Sequence, residues 1–124
     1  MKRHSKAFIF GKFLPFHQGH AAMIRFALTK CDFLSVLICA SDQEKIPSNI
    51  RQDWIIKTFP NEKNLSIESF DYLEEEFPNS SESSQEISRI WSEMFKKRYP
   101  NYTLVITSEP VSYTHLTLPT IYSV

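Results

Sequence analysis

Apolar residues fall into short runs of two kinds along this chain. Ala7-Phe8-Ile9-Phe10 and the segment from Phe33 to Ala40 are almost continuously apolar, which is typical of strands covered on both faces in a parallel sheet. Between them, the apolar residues of Ala21 to Leu28 recur at helical spacing. The first part of the chain is therefore predicted to form a strand, a helix and a second strand.

The same two patterns repeat in the second half. Ile50 to Phe59 is predicted to be a helix that ends at Pro60, because its apolar side chains fall on one helical face. Leu65 to Phe70 alternates between apolar and polar residues, as a half-buried strand near a sheet edge does. Leu104 to Thr107 is predicted to be a fourth strand.

A third helix is predicted before that fourth strand. Ser83 and Glu86 have the spacing of a capping box. The apolar residues that follow at helical spacing are Ile87, Ile90, Trp91, Met94 and Phe95. Strands and helices thus alternate, and this predicts a Rossmann-like α/β fold with a right-handed, doubly wound parallel sheet.

In such sheets a ligand binds outside the carboxyl ends of the strands, where the strand order reverses. The chain places polar or glycine-containing segments after three of its predicted strands. These segments are Gly11 to His20, Ser41 with Asp42, and Ser108 to Pro110. We therefore expect the functional site to be built from these segments.

Composition narrows the class of ligand. The 124 residues are enough for one domain. The 14 Lys and Arg residues balance the 14 Asp and Glu residues, so nothing in the net charge favours nucleic acid as a partner.

Cys31 and Cys39 lie in apolar surroundings without metal-ligand spacing, which predicts two buried, reduced thiols. The apolar run that ends at Gly11 is too short for a signal sequence or a membrane span. We expect a cytoplasmic protein with no membrane partner and a small ligand.

The segment Gly11-Lys12-Phe13-Leu14-Pro15-Phe16-His17-Gln18-Gly19-His20 lies between the first strand and the first helix. A glycine-permitted turn beside the positive end of a helix dipole suits an anionic ligand. Two histidines three positions apart can point at the same phosphate oxygens. The bland alternatives are that both histidines are core or capping residues and that Lys12 is merely solvated.

This motif resembles that of the HxGH nucleotidyltransferase superfamily. Within it, Ala7 to Pro110 is most similar to the nicotinamide-mononucleotide adenylyltransferase domain of the bifunctional bacterial adenylyltransferase/ribosylnicotinamide kinase family. Besides the Gly11 to His20 segment, the supporting residues are Ser41-Asp42, Ile46-Pro47, Arg51, Trp54-Ile55, Pro78-Asn79, Ser81 to Ser84, Trp91-Ser92 and Thr107 to Pro110.

The resemblance implies transfer of the adenylyl group of ATP to nicotinamide mononucleotide, which forms NAD and pyrophosphate. ATP and nicotinamide mononucleotide would be the partners, and Mg²⁺ would be bound mainly through the ATP phosphates. Two alternatives stay open: the same chemistry on another phosphate-bearing acceptor, and a nucleotide-sensing module without turnover. The sequence also leaves open whether the chain forms a homo-oligomer.

The resemblance further implies roles for individual residues. The implied catalytic residues are Lys12, His17 and His20. The residues implied to bind the nucleotide are Gly11, Phe13, Gly19, Ser41, Asp42 and Arg51. Those implied to bind the acceptor are Trp91, Ser108, Glu109 and Pro110. For Trp91 a core position is the alternative, and for Arg51 a simple surface ion pair.

The stretch from Val111 onward resembles one reading frame of an adapter used in preparing sequencing libraries. We therefore expect an incomplete nucleotidyltransferase domain at 1–110, followed by a non-native tail at 111–124 that forms no strand of the sheet. The triphosphate motif that the family carries beyond its fourth strand and the P-loop of the kinase domain are not found in this sequence. The resemblance therefore also predicts that this polypeptide is poorly active.

Overall fold

Parallel strands flanked by helices form the part of the chain that the computed structural model describes, residues 4–76, 85–107 and 120–123. The elements in chain order are β1 (His4–Gly11), α1 (Gln18–Leu28), β2 (Cys31–Ser41), α2 (Ser48–Thr58), β3 (Leu65–Tyr72), α3 (Gln85–Arg98), β4 (Leu104–Thr107) and β5 (Thr120–Ser123). The predicted alternation of strands and helices is confirmed, and with it the α/β fold class.

The order of the strands in the sheet is β3-β2-β1-β4-β5, and every neighbouring pair is parallel. The chain moves outward from β1 through β2 to β3, and β4 then pairs with the other side of β1. The strand order therefore reverses between β1 and β4, which is where such sheets bind ligands. β3 lies at one edge, as the alternating pattern of Leu65 to Phe70 predicted.

Side chains of alternating strand residues build two separate cores. In β1, Ala7 and Ile9 are buried on the face that α1 and α2 cover, whereas Phe8 and Phe10 are buried against α3. Because both faces of the central strands are covered, both must be apolar, and this explains the continuous apolar runs. Cys31 and Cys39 are buried and are not joined in a disulfide, as predicted.

The final strand corrects one expectation. Thr120–Ser123 pairs in parallel with β4, with Ile121 opposite Val105, so the expectation that no strand follows Val111 is wrong. That expectation assumed that too few residues follow β4 for a crossover to another parallel strand. Residues 108–119 separate β4 from β5, and this is the length that a parallel crossover requires. That residues 111–124 are a non-native tail stays a prediction.

The described part of the chain contains no helix that is both long and apolar enough to span a bilayer.

Adjacent isoleucines on α2 offer a matched test of the core. Ile55 is 0% exposed and Ile56 is 46% exposed. Ile55→Ala should lower the free energy of unfolding by about 2 to 5 kcal/mol because it leaves a cavity, whereas Ile56→Ala should change it by less than about 1 kcal/mol. Urea unfolding of both variants measures this; equal losses would contradict the assignment of α2 to this core.

Candidate active site

The loop between β1 and α1 follows the strand at which the sheet order reverses. Phe13 is 2% exposed and has a positive φ of 50°, a conformation that bulky residues rarely adopt. Neither glycine has a positive φ, so the expectation of a glycine-permitted turn is wrong in detail. The left-handed residue is Phe13, whose buried ring packs beside Gly11.

Both motif histidines cap the start of α1. His17 is the N-cap residue, and its Nδ1 accepts a hydrogen bond of 3.1 Å from the backbone N–H of Gly19. The Nδ1 of His20 accepts one of 3.2 Å from the backbone N–H of His17. The two imidazoles are stacked, with ring centroids 3.7 Å apart. The pair thus forms a capping box in which histidines replace the usual hydroxyl and carboxylate groups.

This capping geometry sets the chemistry of the rings. A nitrogen that accepts a hydrogen bond carries no proton, so each neutral imidazole must carry its proton on Nε2. Both rings line a cavity of about 230 Å³ together with Lys12 and Phe13. The capping interpretation is therefore confirmed, and it does not exclude ligand binding, since capping uses Nδ1 and leaves Nε2 as a donor.

Burial, and after it the repulsion that His17 exerts when it is protonated, lowers the pKa of His20 from 6.5 to about 4. Protonation of Nδ1 would also break the hydrogen bond that this atom accepts. At neutral pH His20 is thus an uncharged hydrogen-bond donor at the positive end of a helix dipole. Such a donor can bind a phosphate oxygen without acting as an acid or a base.

Gly19 is required by the stacked arrangement. A Cβ at this position would lie 2.9 Å from Cε1 and 3.0 Å from Nδ1 of His17. Any other residue would therefore push the His17 ring away from its capping position. Gly11 has no such constraint, because a Cβ there would meet the Phe13 ring at an ordinary 3.5 Å.

Lys12, which also lines this cavity, belongs to an ionic cluster that the sequence did not predict. Its Nζ donates to the carboxylate of Glu44 and, at 2.9 Å, to the hydroxyl of Tyr72. Burial lowers the pKa of Lys12, but these two hydrogen bonds outweigh that effect and raise it overall. Lys12 is therefore held as a cation, so the alternative of a merely solvated lysine is wrong.

Arg51 lies beneath this loop. The Arg51 guanidinium is fully buried. It donates to the backbone carbonyl of Ile46 and, at 3.1 Å, to the backbone carbonyl of Lys12. Its Nη2 also lies 2.9 Å from Oε1 of Glu44. The alternative of a surface ion pair is therefore wrong. Nucleotide binding by Arg51 stays a prediction, but its observed contacts fasten the loop after β1 to the loop after β2.

Ser41 is the last residue of β2 and Asp42 the first residue after it, at the predicted end of the strand. Both line a second cavity of about 350 Å³, which Tyr72 also lines. The Asp42 carboxylate accepts a hydrogen bond of 3.0 Å from the backbone N–H of Glu74. This bond is the main reason that the pKa of Asp42 is lowered. Both residues thus lie at the expected edge of the sheet, where Asp42 also stabilises the turn after β3.

Trp91 is a core residue in this structure. Its side chain is 2% exposed, and its ring meets Tyr72 edge-on, with centroids 5.1 Å apart. The core alternative is therefore confirmed, and a role in acceptor binding stays a prediction. Ser108, Glu109 and Pro110, the other predicted acceptor residues, lie outside the described residues.

Fold and site together define a nucleotidyltransferase-like α/β domain. More narrowly, residues 7–97 match the family described as the citrate lyase ligase C-terminal domain, and the chain belongs to that family. A curated relative, the trifunctional NAD biosynthesis/regulator protein NadR of Escherichia coli (strain K12), is 30% identical over 76 residues, which cover 50% of this chain and 18% of that protein.

Two solved structures share the fold. The crystal structure of NadR protein in complex with NAD and AMP-PNP has a TM-score of 0.65 and 15% sequence identity, and the match covers 98% of this chain and 37% of that one. The crystal structure of NadR protein in complex with NR has a TM-score of 0.58 and 19% identity, with 83% and 30% covered. The chain spans less than half the length of each of these proteins.

The two glycines of the motif provide a matched test of the capping arrangement. Gly19→Ala should displace the His17 ring and remove its cap, which costs about 0.5 to 2 kcal/mol in unfolding free energy, while the better helix propensity of alanine offsets up to about 1 kcal/mol of this. Gly11→Ala should leave the His17 Nδ1 resonance unchanged, because the site has room for a methyl group. Nitrogen NMR of the imidazoles with urea unfolding measures both, and an unshifted His17 in Gly19→Ala would contradict the arrangement.

The lowered pKa of His20 predicts a pH-dependent stability. Between pH 6.5 and about 4 the unfolded chain binds a proton at His20 and the folded chain does not, so the free energy of unfolding should fall as the pH falls through this window. In His20→Gln this contribution to the pH dependence should vanish. The lowered pKa values of Asp42 and Glu44 also make stability depend on pH, but they do so equally in the variant and in the unmutated chain. Urea unfolding across the window checks this, and identical slopes would refute it.

Proposed function

We propose that this domain transfers the adenylyl group of ATP to nicotinamide mononucleotide, forming NAD and pyrophosphate. The observation that carries the proposal is the stacked pair of His17 and His20. Their Nδ1 atoms cap α1, so their Nε2–H groups remain as donors beside a cavity at the point where the strand order reverses. A site of this kind suits a chain of phosphate groups.

The proposed reaction needs no general base. The acceptor's phosphate is already ionised near neutral pH, because the second pKa of a phosphomonoester is about 6. One of its oxygens forms a bond to the α-phosphorus of ATP, and the bond from that phosphorus to the bridging oxygen breaks, so that pyrophosphate leaves with the electron pair. Negative charge builds on the leaving phosphates, and neutral N–H donors and the Lys12 cation can stabilise it.

Mg²⁺ is part of the proposal and would supply charge neutralisation on the ATP phosphates. The described residues contain no group of three or more His, Cys, Asp or Glu side chains that could hold a metal ion. The proposal does not require such a group, because Mg²⁺ usually keeps water and phosphate oxygens as most of its ligands. His17, His20 and Lys12 would bind the phosphates themselves, with Gly11 and Phe13 shaping the turn beside them.

Nicotinamide mononucleotide is favoured as acceptor by the relatives, since the name of the curated one refers to NAD biosynthesis and one solved structure contains NAD with AMP-PNP. A cytoplasmic location belongs to the same proposal. The family description, which names citrate lyase ligase, favours a second candidate, the same transfer to a different acceptor.

The direct test incubates the chain, in excess over substrate, with ATP, Mg²⁺ and a panel of phosphate-bearing acceptors. NAD and pyrophosphate are the expected products, identified by chromatography and mass spectrometry. An adenylylated product from another acceptor only would support the second candidate. Because poor activity is predicted for this chain, the same assay is repeated on a version extended past Pro110 with the family's triphosphate motif, and binding of ATP without product in both would support a nucleotide-sensing module.

His20→Ala should slow the single-turnover rate on the order of 10²-fold while acceptor affinity changes little, because its contact strengthens as charge builds on the leaving phosphates. Rapid-quench measurement of NAD formation, beside a titration of the acceptor, separates the two effects. An unchanged rate would remove His20 from the catalytic residues.

A further inference from the structure

Glu44 connects both cations of the site. One carboxylate oxygen accepts from the Lys12 ammonium group, and the other accepts from the Arg51 guanidinium at 2.9 Å and from the backbone N–H of Ser41 at 3.1 Å. The Glu44 side chain is only 14% exposed. Burial raises the pKa of Glu44, but its bonds to Lys12, Arg51 and Ser41 outweigh this and lower it.

Lys12 is fixed at both ends by this cluster. Arg51 donates to its backbone carbonyl, and Glu44 and Tyr72 accept from its ammonium group. An ammonium group has three N–H donors, and within the described segments no third acceptor contacts this one. The ammonium group thus keeps one donor without an acceptor among the described residues, and Lys12 is itself one of the residues that line the cavity beside His17 and His20.

The charges of the cluster do not cancel. One carboxylate faces two cations, so these three side chains together carry a net positive charge. Glu44 can thus hold Lys12 in one place without neutralising the site.

We propose that Glu44 is a positioning residue that fixes the Lys12 ammonium group at the cavity wall, so that its remaining N–H meets a phosphate oxygen of the ligand. The inference rests on the proposed function in taking the ligand to be a phosphate group. It adds a role for a residue in the loop after β2 that contacts the ligand only through Lys12.

The sign of one substitution distinguishes positioning from simple electrostatics. Glu44→Gln removes a negative charge beside the cavity, and on Coulomb attraction alone it would tighten the binding of an anion. If Glu44 positions Lys12, the same substitution weakens binding, because a neutral amide cannot hold both cations through charge-assisted hydrogen bonds.

Titration calorimetry with pyrophosphate tests this on the full chain, the Glu44→Gln and Lys12→Met variants, and the double variant. Glu68→Gln is the matched control, because Glu68 accepts from an arginine, Arg98, as Glu44 does from Arg51, whereas its other partners, Ser66 and Tyr99, are not part of the Lys12 cluster. We expect each single site variant to lose about tenfold in affinity, the size of one charge-assisted hydrogen bond. The double variant should lose no more than Lys12→Met, and the control should match the unmutated chain.

Unchanged or tighter pyrophosphate binding in Glu44→Gln would overturn the inference. So would a loss of affinity from Glu44→Gln that is equally large in the Lys12→Met variant, because Glu44 would then act without Lys12. Pyrophosphate that fails to bind the unmutated chain would also overturn it. Pyrophosphate binding requires no turnover, so a chain that binds it as expected but makes no NAD would fail the proposed function alone.

A second measurement avoids substitution of Glu44. In nitrogen NMR of the lysine ammonium groups, with Lys12 assigned by comparison with Lys12→Arg, the Lys12 signal should titrate above its ordinary pKa and should shift on addition of pyrophosphate. An ordinary pKa with no shift would overturn the inference whether or not Glu44→Gln folds.

Discussion

The two backbone hydrogen bonds accepted by His17 and His20 are the constraint on which the site depends. They satisfy N–H groups that the start of any helix leaves without partners, and they do so with imidazole nitrogens in place of a serine hydroxyl or a glutamate carboxylate. Because Nδ1 is occupied in each ring, the proton is directed to Nε2. A local requirement of helix capping thus determines the donor that the site can present to a ligand.

The rest of the motif supports this pair. Gly19 leaves space where a Cβ would strike His17, and Phe13 turns the chain after β1 while its ring packs against His20, with centroids 4.9 Å apart. The sheet contributes the location: β4 pairs with β1 on the side opposite β2, so the loop opens at the reversal of strand order. Fold and site are therefore coupled through a single strand and the loop that follows it.

Much of the fold could be predicted from the sequence because its signals are local. Continuous apolar runs, helical spacing and the alternation in Leu65 to Phe70 each report on a single element and on which of its faces are buried. The Gly11 to His20 motif could be predicted as a candidate site for the same reason. By contrast, Lys12 contacts Glu44 and Tyr72 across separations of 32 and 60 positions, and no pattern within either segment indicates such a pairing. The burial of Arg51 and the parallel pairing of β5 likewise depend on contacts between distant segments.

Capping through Nδ1 leaves paired Nε2–H donors for phosphate at the start of α1. Nitrogen NMR of the histidine rings at neutral pH, before and after addition of pyrophosphate, observes these donors themselves. We expect the Nε2–H form for both His17 and His20 in the free chain, and a shift of both Nε2 resonances when pyrophosphate binds. A proton on Nδ1 of either ring, or pyrophosphate binding that leaves both Nε2 resonances unmoved, would contradict this expectation.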